Sequence, residues 1–220
     1  LVSLSMEDLS RDLFQGNRDS IKIKKEGVAV RNLEKILNAA LTLSSQKGFA
    51  AMSLRDLSRK AGLSMGALYT YFTSKEELLH MIQGQSAVVM QVLVDQLKGI
   101  DDPRVKLKRA IQAHLFLSEI LREWFYFSYM ETKNLGKEEH RKAIESELFT
   151  EKLFVDILRE GNRTGVFREV DTDLLGAVLK AMLQDWYLKR WKYARRKTSV
   201  EKYADFLVEL VESYLLSPHQ

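Results

Sequence analysis

The sequence predicts an all-α protein of about nine helices, and three observations carry that expectation. Only Pro103 and Pro218 interrupt 220 residues, so few positions forbid a helix. Apolar side chains recur at spacings of three and four along most of the chain, with little of the alternation that marks strands. With 45% apolar and 29% charged residues, the chain can fill a sizeable core and still present a charged surface.

Three segments are expected: an N-terminal extension over 1–28, flexible in this reading, a first helical module over 29–74, and a second over 75–220. The first helix runs from about Val30 to Lys47, with Leu33, Ile36, Leu37, Ala40, Leu41 and Ser44 along one face. Gly48 stops it, and Phe49 can pack back over its end. Ser53 caps a second helix, Leu54 to Ala61, with Asp56 in the first turn where a negative charge suits the dipole. Leu54 and Leu57 face inward; Arg55, Arg59 and Lys60 face out. Gly62-Leu63 turns the chain and Ser64 caps a short helix over 65–72. On that helix Leu68 and Phe72, four apart, share the buried side. Gly66, Ala67, Tyr69 and Thr70 turn away from it, and Tyr71 lies near the boundary. Ser74 and Glu77 form a capping box for a long helix from Lys75 to Lys98. After "GIDDP", Pro103 opens the next helix, and others are expected over 103–119, 121–134, 138–163, 172–197 and 199–216. "GNRTGVFREVD" at 161–171 is the clearest internal break.

Charge is not spread evenly over these segments. Residues 22–75 hold ten Lys or Arg against Glu26, Glu34 and Asp56, a net of +7 within a chain of net +4. One basic module in an otherwise near-neutral protein is the pattern of a module that meets a polyanion. Two short helices joined by a glycine-containing turn make a helix-turn-helix, whose second helix enters the DNA major groove. Its outward side is then the reading face, and phenol hydroxyls at its rim can donate to phosphate. Lys75, in the first turn of its own helix, opposes the dipole, which makes sense if a phosphate sits there. Lys22, Lys24 and Lys25 in "DSIKIKKEGVAVR" are either an arm along the DNA or a disordered leader.

The stretch "ILNAALTLSSQKGFAAMSLRDLSRKAGLSMGALYTYFTSKEELL" closely resembles the DNA-binding domain of TetR-type (tetracycline-repressor-like) bacterial regulators. The resemblance implies that Tyr69, Tyr71 and Lys75 contact phosphate and that Ser53 and Arg55 reach the backbone or a base. With Ser64, Met65, Gly66, Ala67 and Thr70 these complete the expected DNA-binding set. Met65 and Ala67 stand where such proteins often carry Lys and Thr, so readout here leans on thymine methyls and DNA shape. The resemblance further implies a homodimer on a palindromic double-stranded operator and an effector-binding second domain.

Other chemistry finds little support. There is no cysteine, which excludes disulfides, Cys-ligated zinc and a thiol nucleophile. His80, His114, His140 and His219 are scattered singly, and no P-loop, dinucleotide fingerprint or nucleophile elbow occurs, so no cofactor is expected. No apolar run is long enough to insert in a membrane, and no secretory signal pattern is present, so a cytoplasmic location is the default expectation. For the dimer interface the expected residues are Leu175, Leu179, Tyr203, Leu207, Val211 and Tyr214, on two helices whose apolar stripes exceed one core face. The bulky side chains Phe116, Ile120, Trp124, Phe125, Tyr129, Phe154, Met182 and Trp186 are expected to line a pocket for a hydrophobic small molecule. "DWYLKRWKYARRKTSVEKYADFL" is similar to the end of members that sense fatty acyl-CoA or related lipids. Lys189, Arg190, Lys192, Arg195, Arg196 and Lys197 would then meet an anionic headgroup, or simply suit a helix C-terminus. The function expected is a repressor released from its operator by an acyl-CoA, a fatty acid or a drug-like effector. A dimeric DNA-binding protein that answers to no ligand, and a helical enzyme, are the alternatives.

Overall fold

The computed structural model describes residues 4–131 and 136–216, and every regular element among them is a helix. They form two compact units, each with its own core. The first comprises Leu4–Val89 and Leu121–Ala143; the second takes Met90–Ile120 and the chain from Ile144 onward.

In the first unit, α1 (Met6–Gly16) begins at a capping box in which the Ser5 hydroxyl accepts from the Asp8 amide and Asp8 answers to the Ser5 amide. Leu9, Leu13 and Phe14 are buried and pack α1 against α2 (Glu26–Lys47). Ile21, between the two helices, is also fully buried. The extension expected to be flexible over 1–28 is therefore a helix and a strap held by four apolar anchors, and α2 starts at Glu26 rather than near Val30. The signals were present: Leu9 and Leu13 at helical spacing behind a serine cap.

Next come α3 (Leu54–Ala61), α4 (Met65–Leu68) and α5 (Lys75–Gly84). Gly62, at φ 67°, makes the left-handed turn after α3 that favours glycine. The helix expected over 65–72 stops as a regular α-helix at Leu68. Beyond it Thr70 N and Tyr71 N bond three residues back, to Ala67 O and Leu68 O. The Thr70 hydroxyl also donates to Ala67 O at 2.6 Å, so the last turn tightens. The long helix expected from Lys75 to Lys98 is interrupted at Gln85, between α5 and α6 (Ser86–Asp95). Gly84 weakens the helix there, and the Ser86 hydroxyl donates to Gln83 O, a combination that bends helices.

The sequence places residues 121–143 in the second module, yet α8 (Arg122–Met130) belongs to the first compact unit. Trp124 Nε1 donates to Ile82 O at 3.2 Å, and Phe127 meets Phe49 edge-on at 5.7 Å. Just after α8, the buried Glu131 carboxylate accepts from Ser44 Oγ at 3.0 Å and Phe49 N at 3.1 Å, closing the C-terminal end of α2. The end of the helix expected over 121–134 lies outside the described residues.

The second unit packs α7 (Pro103–Ile120), α9 (Lys137–Thr164), α10 (Thr172–Leu188), α11 (Arg190–Arg195) and α12 (Val200–Leu216), with α9 contributing from Ile144. Asp102 accepts from the Arg104 amide at the start of α7, and Arg104 pairs with Glu212 to tie α7 to α12. Gly176 lets α10 lie against α9, since a Cβ there would meet Val155 Cγ2 at 2.4 Å. The helix expected over 172–197 breaks at Lys189, so α10 and α11 are separate.

Candidate nucleic-acid interface

Three serine caps position the motif. The Ser53, Ser64 and Ser74 hydroxyls each accept from the amide three residues on, at 3.1 Å, and thereby fix where α3, α4 and α5 begin. Leu57, Leu68 and Phe72 anchor α3 and α4 below, all at 2% exposure or less. What remains above is exposed or half-exposed: Ser53, Arg55, Ser64, Met65, Gly66, Ala67, Tyr69 and Thr70. Asp56 accepts from Lys47 Nζ at 2.6 Å and from Ser53, which holds its carboxyl well below the usual carboxylate range and keeps it charged. That leaves Arg55 as the outward cation of the first turn of α3.

Two of the expected phosphate contacts are placed differently. Tyr71 is only 2% exposed, and its hydroxyl accepts from Asn32 Nδ2 at 2.9 Å. Burial pushes its phenol upward, so it is a core hydroxyl bound to α2 and not a surface donor. At helical spacing Tyr71 looked like a boundary residue; the tightened turn after Leu68 swings it inward. Lys75 donates to Ala50 O at 2.7 Å and lies over the Phe49 ring at 5.1 Å. Its charge already holds the turn between α2 and α3, so no phosphate is needed to account for a cation at that helix start.

The sequence reading left open what the basic extension does. Lys22 N donates to Thr70 O at 2.9 Å, so the strap is fastened to the last turn of α4. Lys22 and Lys25 side chains are exposed beside that junction, whereas Lys24 Nζ turns back to Arg18 O and Ile21 O.

Interface and pocket residues in the helical unit also need correction. Leu179, Leu207 and Val211 are buried in the protomer's own core, and Leu175 and Tyr203 are half-buried. Of the expected dimer set only Tyr214 is exposed. The wide stripe on α12 is two faces: Ala204, Leu207, Val208, Val211 and Leu215 point in, while Phe206, Leu210 and Tyr214 point out at 62%, 45% and 48% exposure. Leu174 and Val178 do the same on α10. As for the pocket, Trp124, Phe125 and Tyr129 fall in the first unit, and Phe116, Ile120, Phe154, Met182 and Trp186 in the second. Ile120 and Tyr129 are about half exposed. Trp186, fully buried, is packed by Tyr203 at 5.1 Å and Tyr193 at 5.0 Å, and donates to Glu119 at 3.0 Å. Three of the six cations expected at a headgroup are paired: Arg190 with Glu119, and Lys189 and Lys192 with Asp185. Among the described residues no helix is long and apolar enough to cross a membrane.

Comparison with known proteins gives two family matches. Residues 36–82 match "Bacterial regulatory proteins, tetR family", and residues 101–214 match "Tetracyclin repressor-like, C-terminal domain". The chain is 25% identical over 181 residues to the HTH-type transcriptional regulator HbdR of Aromatoleum sp. (strain CIB), covering 82% of this chain and 79% of that protein. It is 27% identical over 195 residues to the HTH-type transcriptional repressor KstR2 of Rhodococcus jostii (strain RHA1), covering 84% and 91%. Among solved structures it is similar to the TetR family transcriptional regulator PfmR of Thermus thermophilus, with a TM-score of 0.66, 29% identity and coverage of 84% and 99%.

Proposed function

Since the chain belongs to the TetR family of bacterial regulatory proteins, we propose that it is a repressor that a hydrophobic small molecule releases from a palindromic operator. That it is a DNA-binding transcriptional regulator and not an enzyme follows from the family, whose members bind DNA and act as dimers. The observation that carries the finer reading is the division of the motif. Leu68 and Phe72 anchor it, and Ser64, Gly66, Tyr69 and Thr70 are left for a groove. A helix this short specifies too few bases alone, which is why two copies and an inverted repeat are needed.

The homodimer contact is assigned to the outward stripes of α10 and α12: Leu174, Val178, Phe206, Leu210 and Tyr214. Five large apolar side chains exposed along two helices of one unit are the kind of patch a monomer rarely leaves uncovered. Phe206→Glu with Leu210→Glu should give a folded monomer by sedimentation and circular dichroism; a dimer that persists moves the interface elsewhere. Operator binding is tested by selecting duplexes from a random library, which should return an inverted repeat. Arg55→Ala should weaken every selected duplex and lower the salt slope by about one contact, Tyr69→Phe should weaken them with the slope kept, and Tyr71→Phe leaves both unchanged. The effector reading rests on the mass of the helical unit beyond what dimerisation needs. Titrating the protein–operator complex with fatty acids, acyl-CoAs and apolar drugs should release DNA with at least one class; no release by any of them favours the ligand-independent regulator.

A further inference from the structure

The middle of the helical unit is not purely apolar. Lys180 sits on α10, and only 6% of its side chain is exposed. Its ammonium faces Glu147 of α9, with Nζ and Oε2 3.2 Å apart. Gln184, one turn along α10, donates to the other oxygen of the same carboxylate. His114 of α7 is 2% exposed, its ring 6.3 Å from that of Phe154, and it lies within electrostatic reach of Lys180. Burial first, and the Lys180 charge second, hold its imidazole in the neutral form. Lys180, Gln184, Glu147 and His114 thus bring polar groups from three helices together in this core.

A fixed ion pair is a poor way to stabilise such a core. Taking an ammonium out of water costs several kcal/mol, and an apolar side chain of the same volume often does as well or better. The pair is also lopsided. Lys180 is enclosed, but 41% of the Glu147 side chain is exposed, so Glu147 can turn into water while Lys180 cannot. An ammonium has three N–H donors, and among the described residues one carboxylate oxygen stands within salt-bridge distance of it.

We propose that Lys180 is the anchor for the carboxylate of an apolar organic acid, which replaces Glu147 on the ammonium when it binds. The proposal rests on the effector reading above and narrows it to acids. One carboxylate replaces another at Lys180, so the buried charge balance is conserved and only Glu147, near water, must move. The acid's apolar body is left against the side chains around Phe154, which suits a hydrocarbon or aromatic tail and excludes a sugar or nucleotide. Glu151, whose charge also acts on Lys180, sets a limit: a dianion would meet it and bind worse than a monoanion. The exchange frees α10 from the one α9 carboxylate that Lys180 and Gln184 share, which couples occupancy to helix packing.

The test uses calorimetric titration of the full chain with decanoate and 4-phenylbutyrate, each beside its alcohol. At least one acid should bind wild type more tightly than its alcohol. Lys180→Met should weaken that acid tenfold or more and leave the alcohol within about twofold, since a group that cannot use the charge does not miss it. Glu147→Gln should do the opposite and tighten the acid several-fold, because the internal competitor is gone. A structural ion pair moves neither affinity in this opposed way. Thermal melts of both variants report whether they fold, and Glu147→Gln keeps the question open to experiment should Lys180→Met fail to do so. Equal binding of acids by wild type and both variants, or no preference for either acid over its alcohol, overturns the assignment. Operator release by the alcohols with no acid preference would keep the hydrophobic effector and discard its carboxylate; release by nothing would remove the effector reading itself.

Discussion

The motif and the helical core solve the same problem, satisfying polar groups near apolar ones, over very different stretches of chain. In the motif each capping pair spans three residues: Ser53 with Asp56, Ser64 with Ala67, Ser74 with Glu77. In the helical unit the pairs span 37 residues from Glu147 to Gln184, 67 from Glu119 to Trp186 and 71 from Glu119 to Arg190. The local bonds stabilise one helix start each. The distant ones join helices, so their loss should spread.

The sharpest way to break this contrast is Trp186→Ala. It empties a fully buried site packed against two tyrosines and removes one of the donors to Glu119, so a loss of about 3–5 kcal/mol is expected in urea unfolding. A loss near 1 kcal/mol would mean that the distant network is no more binding than a cap. The second test is pH. Unfolded, the His114 imidazole takes a proton at its ordinary 6.5; folded, burial keeps it neutral well below that. Below pH 6.5 the unfolded chain therefore binds a proton that the native one refuses. Stability should fall with pH there, by up to about 1.4 kcal/mol per unit. His114→Leu should flatten that limb in denaturation midpoints taken from pH 8 to 5; an unchanged slope would place its source elsewhere.

Smaller effects belong to the motif. Ser53→Ala or Ser74→Ala should each cost about 1 kcal/mol and leave the other's helix untouched, so the double variant should be additive. Coupling between them would show that the caps are not local after all. Tyr71→Phe is the mildest change. It removes the bond from Asn32, which is partly exposed and regains water, so the cost should sit near the low end of roughly 0.5–1.5 kcal/mol.

The same contrast explains what could be read in advance. Caps, the Gly62 turn and the anchors Leu68 and Phe72 lie within one or two turns of each other, and spacing alone placed them. Tyr71 defeated the reading because regular helical geometry was carried past Leu68, where the chain tightens. Leu207 and Val211 defeated it for another reason. A stripe covering Leu207, Leu210, Val211 and Tyr214 does not reveal which half faces its own core, since that depends on where α7 lies. Lys180 carries no local signal, as one lysine between Leu179 and Met182 is ordinary until α7 and α9 close over it. α1, by contrast, is marked in the sequence by its Ser5–Asp8 capping box.

The bond from Lys22 N to Thr70 O gives the protein a built-in reporter. That amide is shielded from exchange with heavy water only while the strap is seated on the end of α4. Its protection can be followed by nuclear magnetic resonance in the free protein, with operator, and with effector. If the strap must lift for the groove to be read, this single amide will lose protection on DNA; if it rides with the helix, it will gain. A chain trimmed to the family-matched start at residue 36 would lose α1, the strap and the start of α2 with its buried Ala29, Val30 and Leu33, and would invite aggregation before any binding could be measured.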